Sequence, residues 1–309
     1  MLQGSSLRAG TSTQTSPPSA GKPRFSLVVP CFNEEGHIKE AIAELRFALR
    51  GAEPYELLIV NDGSTDDTGK ILAEATSADP TLRVLVHTVN QGYGAALKTG
   101  IRQASGEFIV ITDADGTYPN QRIPELLGMA GDVDMVVGAR TADDVQYPFI
   151  RKVPKVFMRA YAMWITRQDI PDLNSGMRVF RRSILERFLN VLPDGFSFTT
   201  TITIALMTNR YRVRYVPISY APRVGKSKIR PIRDTLAFFQ LILRTGMYFA
   251  PLRVYGPVLW VMFVAFLASI SYDVFVLRDL TEKTLLLLML FITSTMFALL
   301  ADMLDKRSQ

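Results

Sequence analysis

The sequence predicts an α/β domain built on a parallel sheet, continued by interfacial helices and a C-terminal transmembrane helical hairpin. Two observations carry that prediction. Short apolar, β-branched runs alternate with segments whose apolar residues recur at helical spacing, the pattern of parallel strands with helices on both faces of the sheet. Near the C-terminus, two long stretches carry no charge, Val254–Tyr272 (19 residues) and Thr284–Ala301 (18 residues). At ~1.5 Å per residue each reaches roughly 27–29 Å, close to the ~30 Å hydrocarbon core of a bilayer.

The strands follow in order. Phe25–Pro30 (FSLVVP) is the first, and Ile38, Ile42, Leu45 and Leu49 mark the helix after it. Tyr55–Val60 (YELLIV) is the second, ending in NDGSTDDT before a helix over 66–76. Leu82–His87 is the third, followed by the glycine-rich opening of a helix, NQGYGAALKTGIRQA. Glu107–Thr112 is the fourth and Asp134–Val137 the fifth. In such sheets ligands bind beyond the carboxyl ends of the strands. Those ends carry Asn33 and Glu34, then Asn61, Asp62 and Gly63, then Asn90, Gly92 and Gly94, and finally Asp113 and Asp115.

The fourth strand is the most informative, because a buried run stops on two aspartates one residue apart (ITDADGTYP). Neighbouring carboxylates repel, and each gains from water or a cation. Solvation at a turn explains such a pair. A divalent cation explains it too, and hard cations bring phosphates with them. The single cysteine, Cys31, rules out an intrachain disulfide and a cysteine-based zinc site, and two histidines, His37 and His87, are too few for a histidine-rich centre. Any metal is therefore held mainly by oxygen. Gly92-Tyr93-Gly94 followed by Asp113 has the outline of a dinucleotide fingerprint, but the third glycine is missing and the motif lies on the third strand, which argues against a nicotinamide enzyme.

Residues 1–23 are rich in Ser, Thr, Gly and Pro, read as a disordered tail, and lack the apolar run of a signal peptide. The net charge is +6, and its distribution matters more than its sum. Five cations and no acid lie between Pro222 and Arg233, and five more between Arg151 and Arg167, the latter interleaved with Val156, Phe157, Tyr161 and Trp164. Basic, aromatic helices beside a membrane lie in the headgroup layer. The paired spans favour lipid phosphate over nucleic acid as the partner of that charge. Arg253 before the first span, and Lys306 and Arg307 after the second, place the large domain and both termini on the cytoplasmic side of the cell membrane.

With these residues laid out, the chain resembles family 2 glycosyltransferases of the GT-A (Rossmann-like) fold, in particular the polyprenyl-phosphate group of dolichyl-phosphate mannose and glucose synthases and their bacterial relatives. The resemblance covers residues ~25–250 and rests on VVPCFNEE, LLIVNDGSTDDT, NQGYGAALKTGI, DADGTYP, DLNSGMRVFRR and APRVGKSK, in register. It implies a hexosyltransferase with a nucleotide-sugar domain over 24–230, a juxtamembrane interfacial helix over 231–250 and two transmembrane helices over 251–309. It implies that Pro30, Asn33 and Glu34 border the nucleotide, that Asp62 contacts the base, and that Asn90, Gly92 and Lys98 line the donor site. Asp113 and Asp115 are implied to bind Mg²⁺ or Mn²⁺ against the diphosphate of a UDP- or GDP-linked sugar. Arg140 is implied to lie near the sugar or phosphate, and Asp172, Ser175, Gly176 and Arg178 to follow the acceptor loop. Arg223, Lys226, Ser227 and Lys228 match a basic motif that closes over phosphates.

The chain departs from the family pattern in three places. Thr117 stands where a glutamine is often found, which leaves the third protein ligand of the metal open. FSFTTTITIALM lacks a glutamate often found there, and Lys226 replaces a common acid. The acceptor implied is a polyprenyl or dolichyl phosphate. Its phosphate carries about −1.5 to −2 charges near neutral pH and is already a nucleophile. The resemblance implies transfer with inversion in one displacement. If a general base is needed, Asp172 is the candidate. A glycan acceptor, or an inactive membrane scaffold of the same fold, are the alternatives; the QxxRW motif of processive synthases is absent. The hairpin also offers a surface for self-association.

Overall fold

A computed structural model describes residues 23–52, 54–79, 82–141, 149–195, 197–221, 240 and 243–307. All of the expected tail over 1–23 except Pro23, and the basic motif with Arg223, Lys226, Ser227 and Lys228, lie outside the described residues. Of the interfacial helix expected over 231–250, residues 240 and 243–249 are described, and both parts are helical.

The sheet has seven strands: β1 (Phe25–Cys31), β2 (Tyr55–Asn61), β3 (Leu82–Val86), β4 (Phe108–Ile111), β5 (Met135–Ala139), β6 (Arg178–Arg181) and β7 (Val213–Pro217). Their order is β3-β2-β1-β4-β6-β5-β7. The first four strands are parallel, whereas β6 runs antiparallel to both β4 and β5. The sheet is therefore mixed rather than wholly parallel. Two strands were not foreseen. β6 (RVFR) is four residues long and bounded by arginines, too short and too polar to show a period. β7 (VRYVP) is an edge strand, where a charge and a proline are tolerated because one side needs no partner.

Alternation along the strands sorts the core into two layers. Leu27, Val29, Ile59 and Val110 face one side, where they pack with Ile38 and Leu45 of α1 (Ile38–Ala48), Leu72 of α2 (Thr68–Ala78) and Leu126 of α4 (Ile123–Met129). Val28, Leu58, Val60, Ile109 and Ile111 face the other, against Leu97 and Ile101 of α3 (Tyr93–Gln103), Leu185 of α6 (Arg182–Phe188) and Phe198 and Ile202 of α7 (Phe198–Thr208). A third cluster joins α5 (Phe149–Thr166) to α7 through Ala162, Ile165, Ile204 and Met207. Burial of each such branched side chain stabilises the fold by about 1.5–3 kcal/mol. The helices thus cover both faces, as the repeating pattern of the sequence requires.

Two helices follow, Pro251–Tyr272, extended by a π-helical turn over Asp273–Leu277, and Glu282–Arg307. Only 11% of each apolar window is buried among the described residues, and both helices are long and apolar enough to cross a membrane. They pack on one another, with Phe263 and Phe291 rings 5.4 Å apart. Beyond them the hairpin is closed by polar side chains. Ser269 and Thr284 hydroxyls meet at 2.6 Å, and Thr281 donates to the Asp273 carboxylate through its backbone N–H and its hydroxyl.

Candidate active site

The carboxyl ends of β1, β2, β3 and β4 share one edge of the sheet, and the loops leaving them are stitched together. Asn33 Oδ1 accepts from the Thr65 backbone at 2.8 Å while its own N–H donates to Ser64 Oγ at 3.0 Å. Glu34 N–H donates to Thr68 Oγ1, and Glu35 exchanges bonds with Asp66 and Asp67. This cross-bonding holds Asn33 in a left-handed conformation, φ +56°, which asparagine tolerates better than most residues. Pro30 is buried in β1, past the end of the β4 pairing (Phe25–Val28), where a missing N–H is harmless. Cys31 lies beside these loops, and burial together with Glu34, Asp66 and Asp62 pushes its thiol up to about 12, so it is not a reactive nucleophile.

Asp62 is buried and hydrogen-bonded within the protein. Its Oδ1 accepts from His87 Nδ1 at 2.7 Å and from Gln91 N–H at 2.9 Å, and its Oδ2 from Gly92 N–H at 2.8 Å. It shapes the β3–α3 loop. That loop also needs two glycines. A side chain on Gly63 would strike the Val89–Asn90 backbone at 2.4–2.6 Å, and Gly92 combines φ +104° with a Cβ position 2.6 Å from the Asp194 carbonyl. Asn90 is exposed at the tip. Lys98, expected in the donor site, pairs with Asp194 at 2.7 Å and ties α3 to the loop before α7.

Around the aspartate pair the geometry is closest. Tyr93 Oη donates to Asp113 Oδ1 at 3.0 Å. A Cβ on Gly176 would lie 2.8 and 2.9 Å from the two Asp113 oxygens, so only glycine lets that carboxylate settle against the backbone. Gly176 N–H donates to Tyr118 Oη at 2.6 Å. Burial, then the Asp113 charge, raises the phenols of Tyr93 and Tyr118 above their ordinary range, and both stay protonated at neutral pH. Thr117 donates to Asp115 Oδ1 through its hydroxyl at 2.6 Å and its N–H at 3.2 Å. Thr117 therefore orients the Asp115 carboxylate. Among the described residues no cluster of three or more His, Cys, Asp or Glu side chains forms a closed metal cage. Two neighbouring carboxylates suit a cation that keeps waters and takes its remaining oxygens from a bound phosphate, which is the habit of Mg²⁺ and Mn²⁺.

A second group extends from this pair. Tyr118 meets Tyr220 edge to face at 5.1 Å, and the Arg140 guanidinium lies 5.1 Å from the Tyr220 ring centre. Arg140 then grips Asp172 with two side-chain bonds of 2.8 and 3.0 Å, and its backbone N–H adds a third at 3.0 Å. Burial alone would raise the Asp172 carboxyl, but Arg140 and the Asn174 N–H outweigh it and hold the group below its ordinary value. Asp172 is thus ion-paired with Arg140 and ionised at neutral pH. Ser175 and Arg178 are fully buried. Arg178 donates to the carbonyls of Ser175 and Leu173 at 2.8 and 3.0 Å and to Thr203 Oγ1 at 2.6 Å. It braces the loop that carries Gly176. Ala221 N–H donates to the Thr117 carbonyl at 3.0 Å, so the chain enters the basic motif directly beside the aspartate loop.

Tyr93, Tyr118 and Tyr220 belong to the site and were not anticipated. The first two stand inside quoted motifs, NQGYG and DADGTYP, but an aromatic between glycines or before a proline has no spacing signature of its own.

Residues 26–189 match glycosyl transferase family 2, and the chain belongs to that family. It is a glycosyltransferase. It is 29% identical over 218 residues to the low-salt glycan biosynthesis hexosyltransferase Agl6 of Haloferax volcanii, covering 69% of this chain and about half (51%) of that protein. The undecaprenyl-phosphate 4-deoxy-4-formamido-L-arabinose transferase of Proteus mirabilis is 29% identical over 246 residues, 78% of this chain and 73% of the other. Among solved structures, glucosyl-3-phosphoglycerate synthase from Mycobacterium tuberculosis, in complex with Mn²⁺, uridine diphosphate and phosphoglyceric acid, superposes with TM-score 0.56 at 22% identity, over 74% of this chain and 79% of that one. That likeness establishes the GT-A fold.

Proposed function

We propose that this chain is a membrane-bound enzyme that moves a sugar from a nucleotide diphosphate sugar to a polyprenyl phosphate at the cytoplasmic face. The observation that carries the reading is the aspartate pair at the end of β4, aimed by Tyr93, Thr117 and Gly176, on a chain that also has two membrane-length helices. The undecaprenyl phosphate in the name of the Proteus relative supports the acceptor. The division proposed is a transferase domain to residue 230, a juxtamembrane helix to 250 and the hairpin beyond.

Asp113 and Asp115 would hold Mg²⁺ or Mn²⁺, which when bound neutralises charge on the departing diphosphate. The loops of Asn33, Glu34, Asn90 and Gly92 form the rim against which the nucleotide rests. Arg223, Lys226, Ser227 and Lys228 follow directly from the Ala221–Thr117 contact and supply cations for the phosphates. An acceptor phosphate oxygen forms the bond to the anomeric carbon as the bond to the diphosphate breaks, and the nucleoside diphosphate leaves with the electron pair. The acceptor dianion has no proton to lose, so the protein's work is orientation and charge stabilisation. This agrees with an Asp172 locked to Arg140. The cytoplasmic assignment rests on Arg253, Lys306 and Arg307 flanking the spans.

The test is transfer of radiolabel from a panel of UDP- and GDP-sugars into organic-extractable lipid, with purified protein, polyprenyl phosphate and Mn²⁺. Label from one donor, abolished by EDTA and by Asp115→Asn, is the expected result. Metal-dependent nucleotide binding with no lipid product would shift the acceptor to a glycan, and no nucleotide binding would defeat the enzyme reading.

A further inference from the structure

Where the end of α5 meets the start of the first apolar helix there is a cavity of about 530 Å³, lined by Met163, Trp164, Arg167, Leu252, Arg253 and Gly256. None of these belongs to the cluster around Asp113 and Asp115. Among the described residues the lining is one-sided: two guanidinium groups, an indole 46% exposed and no carboxylate. The nearest acid along the chain, Asp169, is engaged by Arg159 at 3.2 Å. Arg253 donates to the Ile165 carbonyl, which fixes its head against the last turn of α5, and it feels the charges of Arg167 and Arg210. Two like charges lining one cavity repel, and an anion between them lowers that cost.

Height in the membrane narrows the choice of anion. Arg253 is the third residue of a helix that spans Pro251–Leu277, so the cavity lies at the level of the headgroups, and Trp164 is the residue type that gathers there. Guanidinium groups bind phosphate oxygens in a two-pronged geometry, and Met163 and Leu252 offer apolar walls to the first carbons of a chain. We propose that this cavity binds the anionic phosphodiester headgroup of a bilayer phospholipid, separately from the sugar-transfer site. The proposal rests on the membrane-spanning reading of the hairpin.

The full chain, reconstituted in phosphatidylcholine nanodiscs with increasing phosphatidylglycerol, would be examined by native mass spectrometry for retained lipid. Arg167→Gly is the informative variant, because Arg167 has φ +57° and glycine adopts that conformation freely. Lys70→Gln, exposed on α2, makes the same change in net charge elsewhere. The expected result is preferential retention of phosphatidylglycerol, reduced about fivefold by Arg167→Gly and unchanged by Lys70→Gln. Equal effects of the two variants, or none from Arg167→Gly, would overturn the site. Displacement of the phospholipid by polyprenyl phosphate, one for one, would also overturn it, since the cavity would then belong to the acceptor. Failure to insert into pure phosphatidylcholine would defeat the membrane reading itself.

Discussion

Arg178 offers a sharp test of whether burial has been read correctly, because its place in the DLNSGMRVFRR motif makes it look like a substrate contact. In the structure its guanidinium is fully buried and reaches three neutral oxygen acceptors, Leu173 O, Ser175 O and Thr203 Oγ1, at 2.6–3.0 Å, with the Met135 sulfur at 3.6 Å beside them. Arg178→Lys keeps the positive charge but loses the planar fork. One ammonium on a shorter reach serves one of those acceptors and leaves two unsatisfied. At about 1–3 kcal/mol for each, the loss is about 2–6 kcal/mol. For a domain of this size that corresponds to a fall in Tm of roughly 4–24 °C at ~2–4 °C per kcal/mol. The assay is thermal unfolding of the detergent-solubilised chain, run beside donor kinetics. The donor KM of the folded fraction should stay within about twofold, since uniform substrate binding is not what is removed. An unchanged Tm with a tenfold higher donor KM would refute the reasoning and return Arg178 to the substrate.

Two further outcomes follow from the same geometry. Gly176→Ala places a methyl 2.8 Å from Asp113 Oδ2; transfer should fall at least tenfold with a raised requirement for Mn²⁺, while overpacking costs only about 1–3 kcal/mol of stability by chemical denaturation. Asp172→Asn breaks the pair with Arg140 and should cost about 3 kcal/mol at pH 7. The Asp172 carboxyl is held below its ordinary value, so its contribution is complete above about pH 4 and is lost as pH falls through the folded-state value; unfolding curves of the wild type and Asp172→Asn should converge in acid.

The parts of the fold visible in the sequence were those with repeated, unmixed signals. FSLVVP, YELLIV and EFIVIT are apolar runs flanked by turn residues, and their helices carry a clear 3.6 period. β6 stayed hidden because Val179 and Phe180 face opposite layers between two arginines, and its reversed direction depends on pairing with β4 and β5 rather than on any local feature. At the site, Asp113 and Asp115 stood out because acid at the end of a core strand is conspicuous. The parts played by Asp62, Lys98, Asp172 and Arg178 did not, because charge in a sequence reads as exposed, and only the fold reveals the His87, Asp194, Arg140 and Thr203 groups that satisfy them. The tyrosines gained their importance from contacts across the site, Tyr93 to Asp113 and Tyr118 to Gly176, that no spacing rule encodes.

The central claim is that the acceptor's own phosphate is the nucleophile and the protein supplies no base. It is tested most directly by offering the purified enzyme, with its preferred donor, polyprenyl phosphate and unphosphorylated polyprenol of the same length. Label entering only the phosphate, at a rate that does not fall as pH drops from 8 to 7, is the predicted result. Comparable transfer to the alcohol, with a rate that follows the deprotonation of a protein group, would contradict it.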